Sequence, residues 1–170
     1  MEQFNPFTLV GKQILVTGAS SGIGKAIAVA CAKMGATVIV TGRNVERLNE
    51  TLNLMSEGDH KAISADLTKA EDIESLVAEL PKLDGLVQCA GVGSRVPCKN
   101  IGKEDLQHVF MPNVEAPILF QTAILSKRKI NKAASIVYVA SRAANAPSVG
   151  NAAYSASKGA IISLSLIHIS

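Results

Sequence analysis

Gln13-Ile14-Leu15-Val16-Thr17-Gly18-Ala19-Ser20-Ser21-Gly22-Ile23-Gly24 is the stretch whose reading decides the fold. Its first residues are apolar and β-branched, the signature of a short buried strand. Beyond the glycines, Ile23, Ile27, Ala30, Cys31 and Met34 recur at helical spacing and predict a helix with an apolar face. Strand, glycine turn and helix follow one another directly. Glycines let the backbone turn tightly and let a pyrophosphate approach it, while the N–H groups at the helix start meet the negative charge. The spacing is G-x-x-x-G-x-G, not the G-x-G-x-x-G of the longer fingerprint. Packing alone produces glycine-rich turns too, but between this strand and this helix the reading is dinucleotide binding.

The same alternation extends outward. Strands are predicted near Gln13–Thr17, Ala36–Thr41, Lys61–Ala65, Leu83–Cys89 and Ser135–Ala140, with helices between them. That order describes an α/β fold, a doubly wound parallel sheet with helices on both faces. Thr68-Lys69-Ala70-Glu71 reads as a capping box opening the third helix, and Pro81 closes it. Pro117 falls in the first turn of a later helix, where its ring costs least. The Ala/Ser-rich region from Ala133 to Ser165 is not a linker, because Ile136-Val137-Tyr138-Val139 within it is a strand.

The 170 residues are 48% hydrophobic, enough for one domain with a real core, expected to span 1–170. A net charge of +3, scattered along the chain, gives no footprint for nucleic acid. The apolar stretch Ala160–Ile169 is too short to span a bilayer, and MEQFNPFTLV lacks the features of a signal peptide, so the cytoplasm is expected. Cys31, Cys89 and Cys98 form no C-x-x-C pair, and His60, His108 and His168 stand alone, so no metal site is expected. Cys31 is expected in the core, and Cys89 just beyond a buried strand, close to any ligand there.

Chemistry is concentrated at Tyr154-Ser155-Ala156-Ser157-Lys158, with Ser141 thirteen residues upstream of the tyrosine. Residues i and i+4 share a helix face, so a helix from Ala152 onward projects a phenol and an ammonium into the same space. A free tyrosine titrates near ~10, and a neighbouring cation favours the phenolate, which brings proton exchange toward neutrality. Ser141, arriving from the end of a strand, is placed to hold a carbonyl oxygen against the phenol.

TGASSGIG at 17–24, Asp66-Leu67 after the third strand, LDGLVQCAG at 83–91, Asn113, Ser141 and YSASK at 154–158 together resemble the short-chain dehydrogenase/reductase family. Within it the chain looks most like the 3-oxoacyl-[acyl-carrier-protein] reductase type. The resemblance implies a Rossmann-like fold and NADPH-dependent reduction of a ketone or aldehyde, with a 3-oxoacyl thioester among the substrates it suggests. It also implies that Thr17, Gly18, Ser20, Ser21, Gly22, Ile23, Gly24, Asp66, Leu67, Ala90, Gly91, Tyr154 and Lys158 contact the cofactor. Tyr154 would donate the proton, Lys158 would assist it and bind the ribose, and Ser141 would position the carbonyl. Asn113 would kink its helix and support proton supply; a mere helix cap is the alternative. At the end of the second strand stands Thr41-Gly42-Arg43, with no carboxylate to repel a 2′-phosphate, and Arg43 can pair with that phosphate through its planar fork. The alternative is that Arg43 caps the strand and faces water; NADP is expected over NAD.

The resemblance also suggests a homodimer or homotetramer, and an acidic acyl-carrier protein docking on Lys127, Arg128, Lys129 and Lys132. For that cluster a solvated helix C-terminus is the simpler reading. Two departures stand out. Gln88-Cys89-Ala90-Gly91 replaces the family's Asn-Asn-Ala-Gly and is expected to lose amides that brace the sheet. Family members also continue well beyond the tyrosine helix, and the closing Ile167-His168-Ile169-Ser170 departs from their pattern, so a C-terminally truncated fragment, inactive alone, is expected. The competing reading is a non-catalytic NADP-binding or interaction protein of the same fold. A sugar epimerase or dehydratase is disfavoured by the glycine spacing.

Overall fold

A computed structural model of the chain describes residues 5–166. Five strands form one parallel sheet: β1 (Gln13–Thr17), β2 (Thr37–Gly42), β3 (Lys61–Ser64), β4 (Leu83–Gln88) and β5 (Ile130–Tyr138), in the order β3-β2-β1-β4-β5. The helices are α1 (Gly22–Lys33), α2 (Val45–Leu52), α3 (Ala70–Glu79), α4 (Lys103–Phe110), α5 (Ala116–Ser126) and α6 (Ala152–Ser165). This is the doubly wound, Rossmann-like sheet that the alternation predicts. The chain winds outward from β1 through β2 to β3, then restarts at β4, so the switch point lies between β1 and β4.

Alternating side chains of the inner strands supply two cores. Ile14, Val16, Val38 and Val40 pack with Ala28, Ala32 and Leu48 of α1 and α2. Leu15, Ile39 and Leu86 pack with Ile73, Leu76, Phe120 and Ile124 of α3 and α5. Strands buried on both faces read as continuous apolar runs, which is why they were legible. Among the described residues no helix is long and apolar enough to cross a membrane.

Several local expectations need correction. Ile27 and Cys31 of the predicted α1 face pack half-buried against the core, but the fully buried stripe is Gly24, Ala28 and Ala32, and Ile23 is 62% exposed. Small residues win that face because Gly24 rests against the Gly18 carbonyl, where a Cβ would collide. Thr68 does not cap α3, which begins after Lys69 without a side-chain cap. Its hydroxyl instead donates to Asp66 Oδ1 at 2.8 Å, and Asp72 Oδ2 accepts from the Asp66 N–H at 2.7 Å. Pro81 follows the end of α3 as expected.

β5 starts at Ile130 rather than Ser135 and ends at Tyr138. Its partners shift from Leu83↔Ile130 to Gly85↔Ser135, so extra residues bulge from β5. Polar contacts fix that start: Leu83 N–H donates to Lys129 O at 2.8 Å, and Asn131 Nδ2 donates to Asp84 Oδ1 at 2.9 Å. The helix expected over Ala152–Ser170 runs through Ser165, and its remainder from 167 lies outside the described residues.

Candidate active site

β1 and β4 end side by side, and their tips are tied by one side chain. Backbone pairing between them runs to Val16↔Val87; beyond it, Thr17 Oγ1 accepts from the N–H groups of both Cys89 and Ala90, at 3.0 and 3.1 Å. Gly18 follows at φ +65, and a Cβ on it would stand 2.8 Å from Ala90 Cα, so the two turns already touch. Gly22, at φ +54, has nothing within 4 Å of such a Cβ. α1 opens at Ser21 with neither a capping side chain nor an acidic residue in its first turn. Its leading N–H groups therefore suit an anion. Ser20 reaches toward the end of β2, its Oγ 3.5 Å from where a Cβ on Gly42 would be.

Arg43 and Asp66 lie together beyond the tips of β2 and β3. Burial pushes the Asp66 carboxyl up, but hydrogen bonds from Thr68 and the charges of Arg43 and Lys69 outweigh it and leave it below its ordinary value of 3.8. Leu67 is buried in the core, so only its backbone is available to a ligand.

Around β4 the second half of the site converges. α4 and α5 form one rod interrupted by a π-helical segment, Met111–Glu115, that contains Asn113. Pro112 and Pro117 bracket Asn113. Proline has no N–H, so the ordinary i+4 donor to the Asn113 carbonyl is absent, and the wider segment follows. Asn113, only 1% exposed, does not cap the following helix. Its Oδ1 accepts from Val92 N–H at 2.7 Å, and its Nδ2 donates to Val92 O at 2.9 Å and to Ser157 Oγ at 3.0 Å. The Ser157 hydroxyl in turn donates to Tyr154 O at 2.7 Å. A Cβ on Gly91 would stand 2.8 Å from Asn113 Oδ1 and 3.7 Å from Lys158 Nζ, so that glycine is the gap through which the two approach.

Lys158 is 7% exposed and donates to Val139 O at 2.7 Å. Its Nζ lies 6.0 Å from the centroid of the Tyr154 ring. Burial lowers the Lys158 pKa from its ordinary value, with the nearby Cys89 pulling the other way. The Cys89 thiol is itself pushed up by burial, against the pull of Lys158. Ser141 caps the 3₁₀ turn Arg142–Ala144 by accepting from Ala143 N–H at 3.1 Å, and the Ser155 hydroxyl donates to Ala143 O. That turn anchors the end of β5 to α6 one residue past Tyr154.

Three contributors escaped the sequence. Ser157 was hidden between the two residues of the Tyr-Lys pair. The Thr17 oxygen carries no pattern of its own. Gln88 corrects the expectation of a lost brace, because its Nε2 donates to Pro117 O at 2.9 Å and ties β4 to α5. Lys129 corrects another: its Nζ donates to Ala78 O at 3.2 Å and Leu80 O at 2.5 Å, so it serves the C-terminus of α3 and leaves Lys127, Arg128 and Lys132 exposed. Among the described residues no group of His, Cys, Asp or Glu could hold a metal ion.

A doubly wound sheet with a glycine turn at its switch point and a Tyr-Lys pair beside it defines a Rossmann-like α/β protein of the dinucleotide-binding class. Residues 12–167 match the family model described as short chain dehydrogenase, and the chain belongs to that family. It is 33% identical over 156 residues to the 3-oxoacyl-[acyl-carrier-protein] reductase FabG of Rickettsia felis, covering 92% of this chain and 64% of that protein. It is 38% identical over 157 residues to 2,3-dihydro-2,3-dihydroxybenzoate dehydrogenase of Escherichia coli K12, covering 92% and 61%. A protein of Escherichia coli CFT073 solved with NADPH superposes with a TM-score of 0.82 at 32% identity, covering 91% of this chain and 69% of that one. The chain spans about two thirds of the length of such relatives, from 60% to 68%.

Proposed function

We propose that residues 1–170 form one NAD(P)-binding catalytic unit that takes part in NADPH-dependent reduction of a ketone or aldehyde. The observation that carries this reading is the buried Lys158 ammonium 6.0 Å from the Tyr154 ring, with Asn113 across Gly91 from it. Bound between the glycine turn and Gly91, the cofactor would supply hydride to the carbonyl carbon. Tyr154 would give its proton to the carbonyl oxygen, and Lys158 would stabilise the negative charge left on the phenol. The Ser141 hydroxyl would orient the carbonyl, and Asn113, with a carbonyl lacking its ordinary helical donor, would support resupply of the proton.

Thr17, Gly18, Ser20, Ser21, Gly22, Ile23 and Gly24 would cradle the pyrophosphate end, and Asp66 with the Leu67 backbone would meet the adenine. Ala90 and Gly91 would face the nicotinamide side. NADP preference rests on Arg43, and it is supported by the NADPH and NADP present in similar solved proteins. The reductase names of several relatives favour a 3-oxoacyl pattern in the substrate. Exposed Leu106, Ile118 and Leu119 on α4 and α5 support self-association as a homodimer or homotetramer. Exposed Lys127, Arg128 and Lys132 support contact with an acidic acyl-carrier protein, in a cytoplasmic setting.

The test is Tyr154→Phe in a chain extended to the length of its relatives, a change that deletes one oxygen and keeps the ring. Cofactor affinity and thermal stability are expected to persist, while NADPH oxidation with an activated ketone falls by at least ~10²-fold. Unchanged turnover would place the proton donor elsewhere.

A further inference from the structure

Tyr154 opens onto a cleft of about 280 Å³ lined by Gly93, Ser94, Arg95, Asn151 and Tyr154. Arg95 is the one charged residue in that lining, and the lining holds no carboxylate. Its position is fixed from the backbone: the neighbouring Val96 N–H donates to Gly150 O at 2.8 Å, and Gly150, at φ +84, would place a Cβ only 3.8 Å from Arg95 Cα. The segment that carries the guanidinium is thus pinned to the entry of α6. Arg95 is exposed and forms no ion pair; among the described residues the one salt bridge is Lys25–Glu50.

The start of α6 adds charge of the same sign. Asn151 precedes it without a side-chain cap, its Nδ2 donating to Ser148 Oγ at 3.0 Å, and no acidic residue stands in the first turn. The helix N-terminus therefore reinforces the cation instead of cancelling it. Beyond the Val96–Gly150 link, a second cleft of about 550 Å³, running from Pro97 and Cys98 to Val149 and Ala156, has no charged residue in its lining. Of the two clefts, only the one beside Tyr154 has a charged side chain in its lining.

Because Tyr154 and Arg95 line the same cleft, a substrate whose carbonyl meets the Tyr154 hydroxyl can extend toward Arg95. We propose that the substrate is a small oxo acid whose carboxylate, two or three bonds from the carbonyl, is bound by the Arg95 guanidinium while its carbonyl oxygen faces Tyr154. The inference rests on the reading of Tyr154 as proton donor. A planar two-pronged donor matches a carboxylate in geometry as well as charge. The carboxylate stays ionised through the reaction: hydride goes to the carbonyl carbon, the phenol proton to its oxygen, and the oxo acid leaves as a hydroxy acid.

The test compares acetoacetate with its methyl ester, which share the ketone and differ in charge. Binding to the protein saturated with NADP⁺, where no turnover occurs, is measured by calorimetry for wild type, Arg95→Gln and Arg95→Lys. Acetoacetate is expected to bind wild type about tenfold tighter than the ester, the lower end for a charge-assisted pair open to solvent. Arg95→Gln should abolish that preference without weakening the ester, Arg95→Lys should keep part of it, and added salt should erode it. Equal binding of acid and ester, equal weakening of both by Arg95→Gln, or binding of neither overturns the proposal. NADPH oxidation by a chain extended to the length of its relatives separates the two readings. Equal reduction of acid and ester keeps the reductase and removes the anion site. Arg95-dependent binding without turnover keeps the anion site and removes the reductase.

Discussion

Asn113 and Ser157, 44 positions apart in the chain, share a 3.0 Å hydrogen bond from amide to hydroxyl in the interior. The bond joins the π-helical segment between α4 and α5 to the helix that bears Tyr154 and Lys158. Because Asn113 also holds both polar groups of the Val92 backbone, three separate pieces of chain meet on one side chain.

Asn113→Ala therefore strands the Val92 N–H and C=O together and is expected to cost at least about 2 kcal/mol in denaturant unfolding, against about 1 kcal/mol for Ser157→Ala. The double variant should cost less than the sum, since both changes delete the same bond. Strict additivity would mean that the Asn113–Ser157 contact contributes nothing.

Lys158→Met should separate stability from function. Burial lowers the Lys158 pKa from its ordinary value of 10.5, so below that value the unfolded chain holds the proton more readily than the folded one. Stability then rises with pH from the lowered folded pKa up to about 10.5, and is least where the buried ammonium stays charged. The melting temperature of Lys158→Met is expected to exceed wild type near neutral pH, with the gap closing as pH climbs through that window. A gap that widens with pH would contradict the sign.

Arg43→Ala bears on the cofactor. Loss of one charge-assisted contact to a 2′-phosphate is expected to weaken NADPH binding by about 1.5–3 kcal/mol and leave NADH nearly unchanged. Fluorescence titration with both cofactors reads this directly, and equal effects on the two would sink the assignment.

Two glycine-to-alanine changes should move in opposite directions. At Gly24 a Cβ runs into the Gly18 carbonyl, and backbone on both sides cannot yield, so a loss of about 1–3 kcal/mol is expected. At Gly159, within α6, nothing lies within 4 Å, and alanine should add about 0.5–1 kcal/mol through helix propensity. Thermal melts of the two variants decide between local packing and generic propensity.

The inner strands and the glycine turn were legible because burial on both sheet faces writes itself as unbroken apolar runs. Tyr154, Lys158 and Asn113 were legible as motif positions, while the place of Gly91 between Asn113 and Lys158 was not. What escaped is long-range and polar. The start of β5 depends on the distant partners Leu83 and Asp84, which Lys129 and Asn131 meet across the sheet, and not on an apolar pattern in Asn131-Lys132-Ala133-Ala134. Thr68 looked like a cap because local pattern could not show that Asp66 and Asp72 would claim its neighbourhood. The π-helical segment holds Asn113 between two prolines and is tied through it to distant Val92 and Ser157, and periodicity registers neither tie.

The Thr17 oxygen that grips the amides of Cys89 and Ala90 is the last fastening between β1 and β4. One rotation about the Thr17 side chain releases both amides together, since a single oxygen accepts from both. Their deuterium uptake should then follow a single shared clock, set by how often the crevice gapes. A guest lodged in the crevice would slow both amides by the same factor, which makes this pair a built-in gauge of occupancy that needs no catalytic turnover.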